Sequence, residues 1–177
     1  MKIILGAGDT VQEGWISTDR HQLDLTSRAS FENYFKGAKA DAFLAEHVFE
    51  HLSLPAGIQA AHHCREFLNP GGTLRIAVPD RLHKDPDYLR WTEPGGVGPG
   101  ADDHKVFYDL EMLCSMLARA GFHRLEPIEW WGQDREFHAL PWTVDRGFVR
   151  RSLKHDSRNL TRTIPYTSVI VDAINQR

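Results

Sequence analysis

One stretch constrains the fold more than any other. Residues 40–45 form a short apolar run, and residues 55–68 carry apolar side chains at helical spacing behind Pro55. Asn69-Pro70-Gly71-Gly72 supplies the turn chemistry that stops a helix, and the β-branched run 73–79 follows. Strand, helix and strand of these lengths make one parallel β–α–β crossover, which is right-handed in nearly all proteins. A chain that carries such a unit builds a sheet with helices packed on its faces.

The remaining segments fit that plan. Residues 2–5 read as a buried strand that opens into the turn Gly6-Ala7-Gly8, and residues 15–19 read as a second strand. Only residues 9–14 separate the two, too few for a crossover helix of the usual length. A third strand is expected at 23–25, a short helix at 31–35 and an amphipathic helix at 107–120 closed by Gly121. Residues 93–100 hold two prolines and four glycines and must be loop. Residues 124–131 and 166–174 read as the last two strands, and the polar segment 132–165 between them is an insertion without a clear period. The expected fold is therefore α/β, a three-layer sandwich in a single domain over 1–177.

Composition narrows the function. With 21 Lys+Arg against 24 Asp+Glu the net charge is -3, so no nucleic-acid partner is expected. Two cysteines, Cys64 and Cys114, form no disulfide framework, and no apolar run approaches a membrane span. Residues 1–6 lack the pattern of a secretory signal, so a cytoplasmic protein with no membrane partner is expected.

Open α/β sheets bind ligands at the carboxyl ends of their strands. That rim holds Gly6-Ala7-Gly8, Asp19, Asp24-Leu25, Glu46-His47 and Pro79-Asp80. Glycines after the first strand and an acid after the second form a nucleoside-binding pattern. Nicotinamide and flavin cofactors share it, but their fingerprint needs a third glycine opening a helix. Here Val11 stands at that glycine's place, and no helix fits to hold a pyrophosphate. His47-Val48-Phe49-Glu50-His51 also matches H-x-x-E-H, a zinc-protease signature that needs a long helix. Pro55 follows too closely for such a helix, and no metal is expected. His62 and His63 are adjacent and expected on the surface. Arg146, Arg150, Arg151, Lys154, Arg158 and Arg162 face a single acid, Asp156, between them. They are either a solvated face or a set of guanidinium groups that recognise an anion.

Taken in order, Ile4-Leu5-Gly6-Ala7-Gly8, Gly14-Trp15-Ile16-Ser17-Thr18-Asp19, Glu46-His47-Val48-Phe49-Glu50-His51 and the run from Leu68-Asn69-Pro70-Gly71-Gly72 to Val78-Pro79-Asp80 resemble a small class I S-adenosylmethionine-dependent methyltransferase of the short bacterial type. The likeness continues through His104-Lys105-Val106-Phe107-Tyr108, Glu136-Phe137-His138, Arg158-Asn159 and Tyr166-Thr167-Ser168, so it covers nearly the whole chain. It implies a Rossmann-like sheet, mostly parallel with the last strand antiparallel, and S-adenosylmethionine as cofactor. It further implies Gly6, Ala7 and Gly8 against methionine and ribose, Asp19 on the ribose hydroxyls, Asp24 and Leu25 beside adenine, and Glu46 and His47 beside the sulfonium. The family's first motif carries an acid and a third glycine where this chain has Ile4 and Thr10, so the methionine amino group must use carbonyls of the turn and residues near Glu46. The implied reaction is methyl transfer to a small-molecule acceptor, with an anionic group of the acceptor met by Arg150, Arg151 or Arg158. His51, Asp80 and His104 are the candidate catalytic bases. The alternative is a methyltransferase fold that binds a nucleoside ligand or a protein partner without turnover.

Overall fold

The computed structural model describes residues 1–176. Seven strands form one sheet: β1 (Lys2–Leu5), β2 (Ile16–Thr18), β3 (Ala40–Glu46), β4 (Leu68–Pro79), β5 (Arg124–Trp131), β6 (Phe137–Ala139) and β7 (Ser168–Ile174). Their order across the sheet is β2-β1-β3-β4-β7-β5-β6. β2, β1, β3 and β4 pair in parallel, whereas β7 lies antiparallel between β4 and β5, and β6 pairs antiparallel to β5. Among the described residues there are four α-helices, α1 (Arg28–Phe35), α2 (Leu54–Glu66), α3 (Pro86–Thr92) and α4 (Leu110–Arg119), together with short 3-10 turns such as Phe49–His51.

Alternation along the strands sorts the core into two clusters. Ile3, Leu5, Phe43, Leu74, Ile76, Val78, Val169 and Val171 point to one face and pack against Phe31 and Phe35 of α1, Ala60 and Cys64 of α2, and Leu113, Met116 and Leu117 of α4. Ile4, Leu44, Ala77, Ile128 and Ile170 point to the other face and meet Val149, Trp15 and Trp142. The second face is thus covered by irregular chain from the β5–β7 connection. Arg75 anchors that cover. Its guanidinium is bidentate to Asp172 on β7 at 2.7 and 2.8 Å, and its third nitrogen donates to the carbonyls of Thr143 and Gly147.

Local structure follows the residues closely in most places. Ser53 caps α2 and Pro55 stands in its first turn, while Asp109 caps α4 through the N–H of Met112. The connection from β1 to β2 contains no helix, as its length requires. Three expectations are corrected. Residues 23–25 are irregular chain running into a turn at 25–26 rather than a strand, because Asp24 bonds locally to the N–H and hydroxyl of Thr26 and Leu23 buries its side chain toward the helices. β4 begins at Leu68, with Asn69-Pro70-Gly71-Gly72 bulging out of its pairing with β3 and held by Asn175 of the β7 end. His63 is buried, its Nδ1 3.0 Å from the carbonyl oxygen of Leu25. α3 has no counterpart in the sequence reading, since its seven residues are too short to show a period. No helix among the described residues is long and apolar enough to cross a membrane.

Candidate functional site

The ends of β1 and β3 build the centre of the rim. Gly6 and Gly8 take positive φ of 56° and 52°, which glycine adopts without strain. Gly6 is further confined, because a Cβ there would lie 2.8 Å from the Val48 side chain. The turn is closed by Ala7 donating to the Thr18 carbonyl and by Gly8 donating to Asp19 Oδ1 at 3.1 Å. Ile4 lies in the apolar cluster of the second face, an environment that would not favour a carboxylate.

His47 follows β3 with φ at +56°, an uncommon conformation for a side chain of its size. Its ring is nearly buried. Nε2 lies 3.0 Å from Ser168 Oγ, and the Ser168 hydroxyl donates to the Arg151 carbonyl. Nε2 therefore carries the ring proton, and the bare Nδ1 faces Glu50 Oε1 at 3.3 Å. Burial, with the positive charge of Arg151 next, holds His47 well below the usual imidazole value, so the ring is neutral. Glu50 is 1% exposed, and burial pushes it up to about 8. Neither of its carboxyl oxygens has a hydrogen-bond partner among the described residues.

Three clefts meet here. One, of about 640 Å³, is lined by Gly6, Arg20, Asp24, Leu25 and Val48 and reaches His47 and His51. A second, of about 490 Å³, runs over Gly6, Ala7, Gly8 and Val11 to Glu46, His47 and Arg150. The largest, of about 850 Å³, is walled by His47, Glu50, His51 and His104 on one side and by Arg150, Arg151, Arg158 and Tyr166 on the other. His47 lines all three, and Gly6 lies between the first two. Trp91, Thr92, Gly98 and Pro99 bring the loop after α3 to the edge of the largest cleft.

The sequence-derived residues are distributed unevenly over this geometry. Gly6, Ala7, Gly8, Asp24, Leu25, Glu46 and His47 line the first two clefts, whereas Asp19 lines none of the three and holds the Gly8 N–H through Oδ1. Thr26 holds the Asp24 carboxyl below the usual range. Glu46 accepts the backbone N–H groups of Arg150 and Arg151 at 3.1 and 2.8 Å and so tethers the β5–β7 connection to β3. Arg158 is bidentate to Asp156 and lies 3.3 Å from the Tyr166 ring centroid, whereas among the described residues no side-chain bond engages the exposed Arg150 guanidinium. His104 gives its Nδ1 proton to the Thr92 carbonyl at 2.7 Å, which leaves Nε2 as a lone pair, and its ring meets that of His51 edge to face.

Asp80 is the residue that geometry removes from the rim. It is fully buried, its two oxygens accept from Leu82 and Trp131 N–H groups, and it lines none of the three clefts. Its place is structural, at the junction of β4 with Tyr108. Glu50 and Tyr166 are among the wall residues that the sequence reading did not assign. Glu50 stood in plain view inside H-x-x-E-H, but only the fold brings His104 to it.

No family model matches the chain, and no curated protein matches it in sequence. Solved structures do match in fold. A SAM-dependent methyltransferase of Thermotoga maritima superposes with a TM-score of 0.53 at 13% identity, over 100% of this chain and 73% of that one. One from Archaeoglobus fulgidus gives 0.54 at 10%, over 99% and 85%. The CurJ carbon methyltransferase gives 0.55 at 14%, and there the chain spans 48% of the other's length. The architecture is that of class I S-adenosylmethionine-dependent methyltransferases, mostly parallel with antiparallel strands toward one end.

Proposed function

We propose that this chain, with its class I methyltransferase fold, binds S-adenosylmethionine along the groove over Gly6 and transfers the methyl group to a small-molecule acceptor bearing an anionic group. The observation that carries this reading is the junction of three clefts at His47. An elongated ligand over Gly6 puts its nucleoside end by Asp24 and Leu25 and its amino-acid end by Gly8 and Val11. Its middle, the sulfonium, then lies at His47 and faces the third cleft. Asp19 serves the ribose hydroxyls from the end of β2. A neutral His47 suits that position, since an imidazolium would repel the sulfonium.

The methyl donor is already activated, so the protein's task is in-line positioning and exclusion of water. Arg150 lines both the amino-acid cleft and the acceptor cleft with an unengaged guanidinium, and it is the cation offered to a carboxylate there. His51 and His104 stand on the opposite wall, where the proton of an acceptor hydroxyl or amine must be handled.

Thermal unfolding with S-adenosylhomocysteine and with NAD tests the cofactor. The homocysteine nucleoside is expected to stabilise the chain and NAD to do so less, because no helix N-terminus stands ready for a pyrophosphate. A larger shift with NAD overturns the reading. S-adenosylhomocysteine release with a panel of anionic acceptors then separates an enzyme from a binding protein of the same fold.

A further inference from the structure

The wall of the largest cleft opposite the arginines holds three metal-ligating side chains. Glu50, His51 and His104 each offer one donor atom, and these atoms all lie within 4.8 Å of one another. His104 Nε2 is 4.0 Å from Glu50 Oε1. Two further features set this cluster apart from a chance meeting of polar groups. Glu50 is 1% exposed, yet both its oxygens lack a hydrogen-bond partner among the described residues, and buried carboxyl oxygens are rarely left so. His104 is locked by its Nδ1–H bond to the Thr92 carbonyl, the outer contact that orients histidines at metal centres and leaves Nε2 as ligand. Asp103 adds a carboxylate 3.4 Å from His51 Nδ1 on the open side.

We propose that Glu50, His51 and His104 bind a divalent first-row transition-metal ion, with its remaining positions open to the cleft for an oxygen atom of the acceptor. Two imidazoles and one carboxylate are the donor set of open, substrate-binding sites for zinc and its neighbours. Donors about 3.4 Å apart suit bonds of about 2.1 Å, so His104 and Glu50 need to close by about half an ångström. This rests on the methyl-transfer reading for its chemistry and makes the acceptor group a hydroxyl. The ion binds and acidifies that hydroxyl, whose proton leaves to water in the cleft. The freed oxygen pair forms the bond to the methyl carbon while the C–S bond breaks and its electrons stay on sulfur. H-x-x-E-H then contributes Glu50 and His51 as ligands. His47 faces Glu50 Oε1 with its bare Nδ1 at 3.3 Å but is not one of the three residues whose donor atoms all lie within 4.8 Å of one another.

The test uses the full chain stripped with chelator and titrated with cobalt(II) and zinc chloride by calorimetry and visible absorption. One ion per chain is expected, weakened about 100-fold or more in Glu50→Gln and His104→Ala. Both variants are checked by near-UV circular dichroism and cooperative thermal unfolding, which show that they fold whether or not S-adenosylhomocysteine binds. Addition of acetohydroxamate as a bidentate oxygen probe should shift the cobalt spectrum. Absence of binding at 100-fold excess of metal, or binding that survives both substitutions, overturns the site. A cobalt spectrum blind to hydroxamate overturns its exposure to the acceptor. Metal binding without S-adenosylhomocysteine binding would instead sink the cofactor reading and leave the site standing.

Discussion

Arg75 lies under Trp142, its guanidinium 4.7 Å from the ring, and every nitrogen of that group has a partner. Removing it would leave the buried Asp172 with only the Arg146 guanidinium, 3.2 Å from Oδ2, and the Thr143 and Gly147 carbonyls without their donor. Arg75→Ala is therefore expected to cost about 3–5 kcal/mol in chemical denaturation, the scale of a broken buried ion pair. Asp19→Ala touches the proposed ribose partner and the Gly8 N–H together. It should weaken S-adenosylhomocysteine by about 1–3 kcal/mol in calorimetry with the fold retained, and unchanged affinity would move the ribose elsewhere. His83 gives a pH signature. Burial lowers it to about 4, its Nε2 lies 2.7 Å from the Pro165 carbonyl, and its ring stacks on Tyr88. Between about pH 4 and 6.5 the unfolded chain binds the proton and the folded chain does not, so stability falls as pH falls through that window. The loss is at most about 3 kcal/mol; it should be absent from His83→Gln and therefore appear in full in the difference between the parent chain and that variant. That comparison also cancels Asp80, which burial pushes up to about 7 and whose effect has the opposite sign.

The β5–β7 connection is the element whose role the structure redefines. It caps the second face of the sheet, and Glu46 holds it by two backbone N–H bonds, so its order depends on β3 as much as on itself. Glu46→Ala should speed proteolysis within residues 143–160 while α2 and α4 keep their hydrogen-exchange protection; equal protection throughout would mean the tether is redundant. Within the same element the arginines divide. Arg150→Ala should leave the melting temperature unchanged and abolish turnover of an anionic acceptor, since its exposed side chain bonds to none of the described residues. Arg158→Ala should lower the melting temperature, because Asp156 and Tyr166 lose their partner.

At the scale of the whole molecule, the sheet order puts the ends of β1 and β3 side by side, and that adjacency merges the clefts at His47. Much of this was legible from residues alone. Short apolar and β-branched runs marked the strands, Pro55 marked the start of α2, and the short spacing from Gly8 to Trp15 excluded a crossover helix, because each of these is a local constraint on backbone and burial. The glycine turn and its acid were visible for the same reason. What local pattern could not carry was contact between distant segments. Asp24 and Leu25 read as a strand by composition, yet side-chain bonds to the Thr26 backbone and hydroxyl outweighed that propensity. Asp80 sat at a strand end like a catalytic acid, but Trp131, 51 residues later, closes over it. Glu50 and His104 become neighbours only when the loop after α3 folds against the 3-10 turn at Phe49–His51. Sequence decides which face of each element seeks the core, because burial of apolar area is local and periodic. Tertiary structure alone decides which polar groups are stranded beside one another in the low-dielectric interior, and those groups make the site.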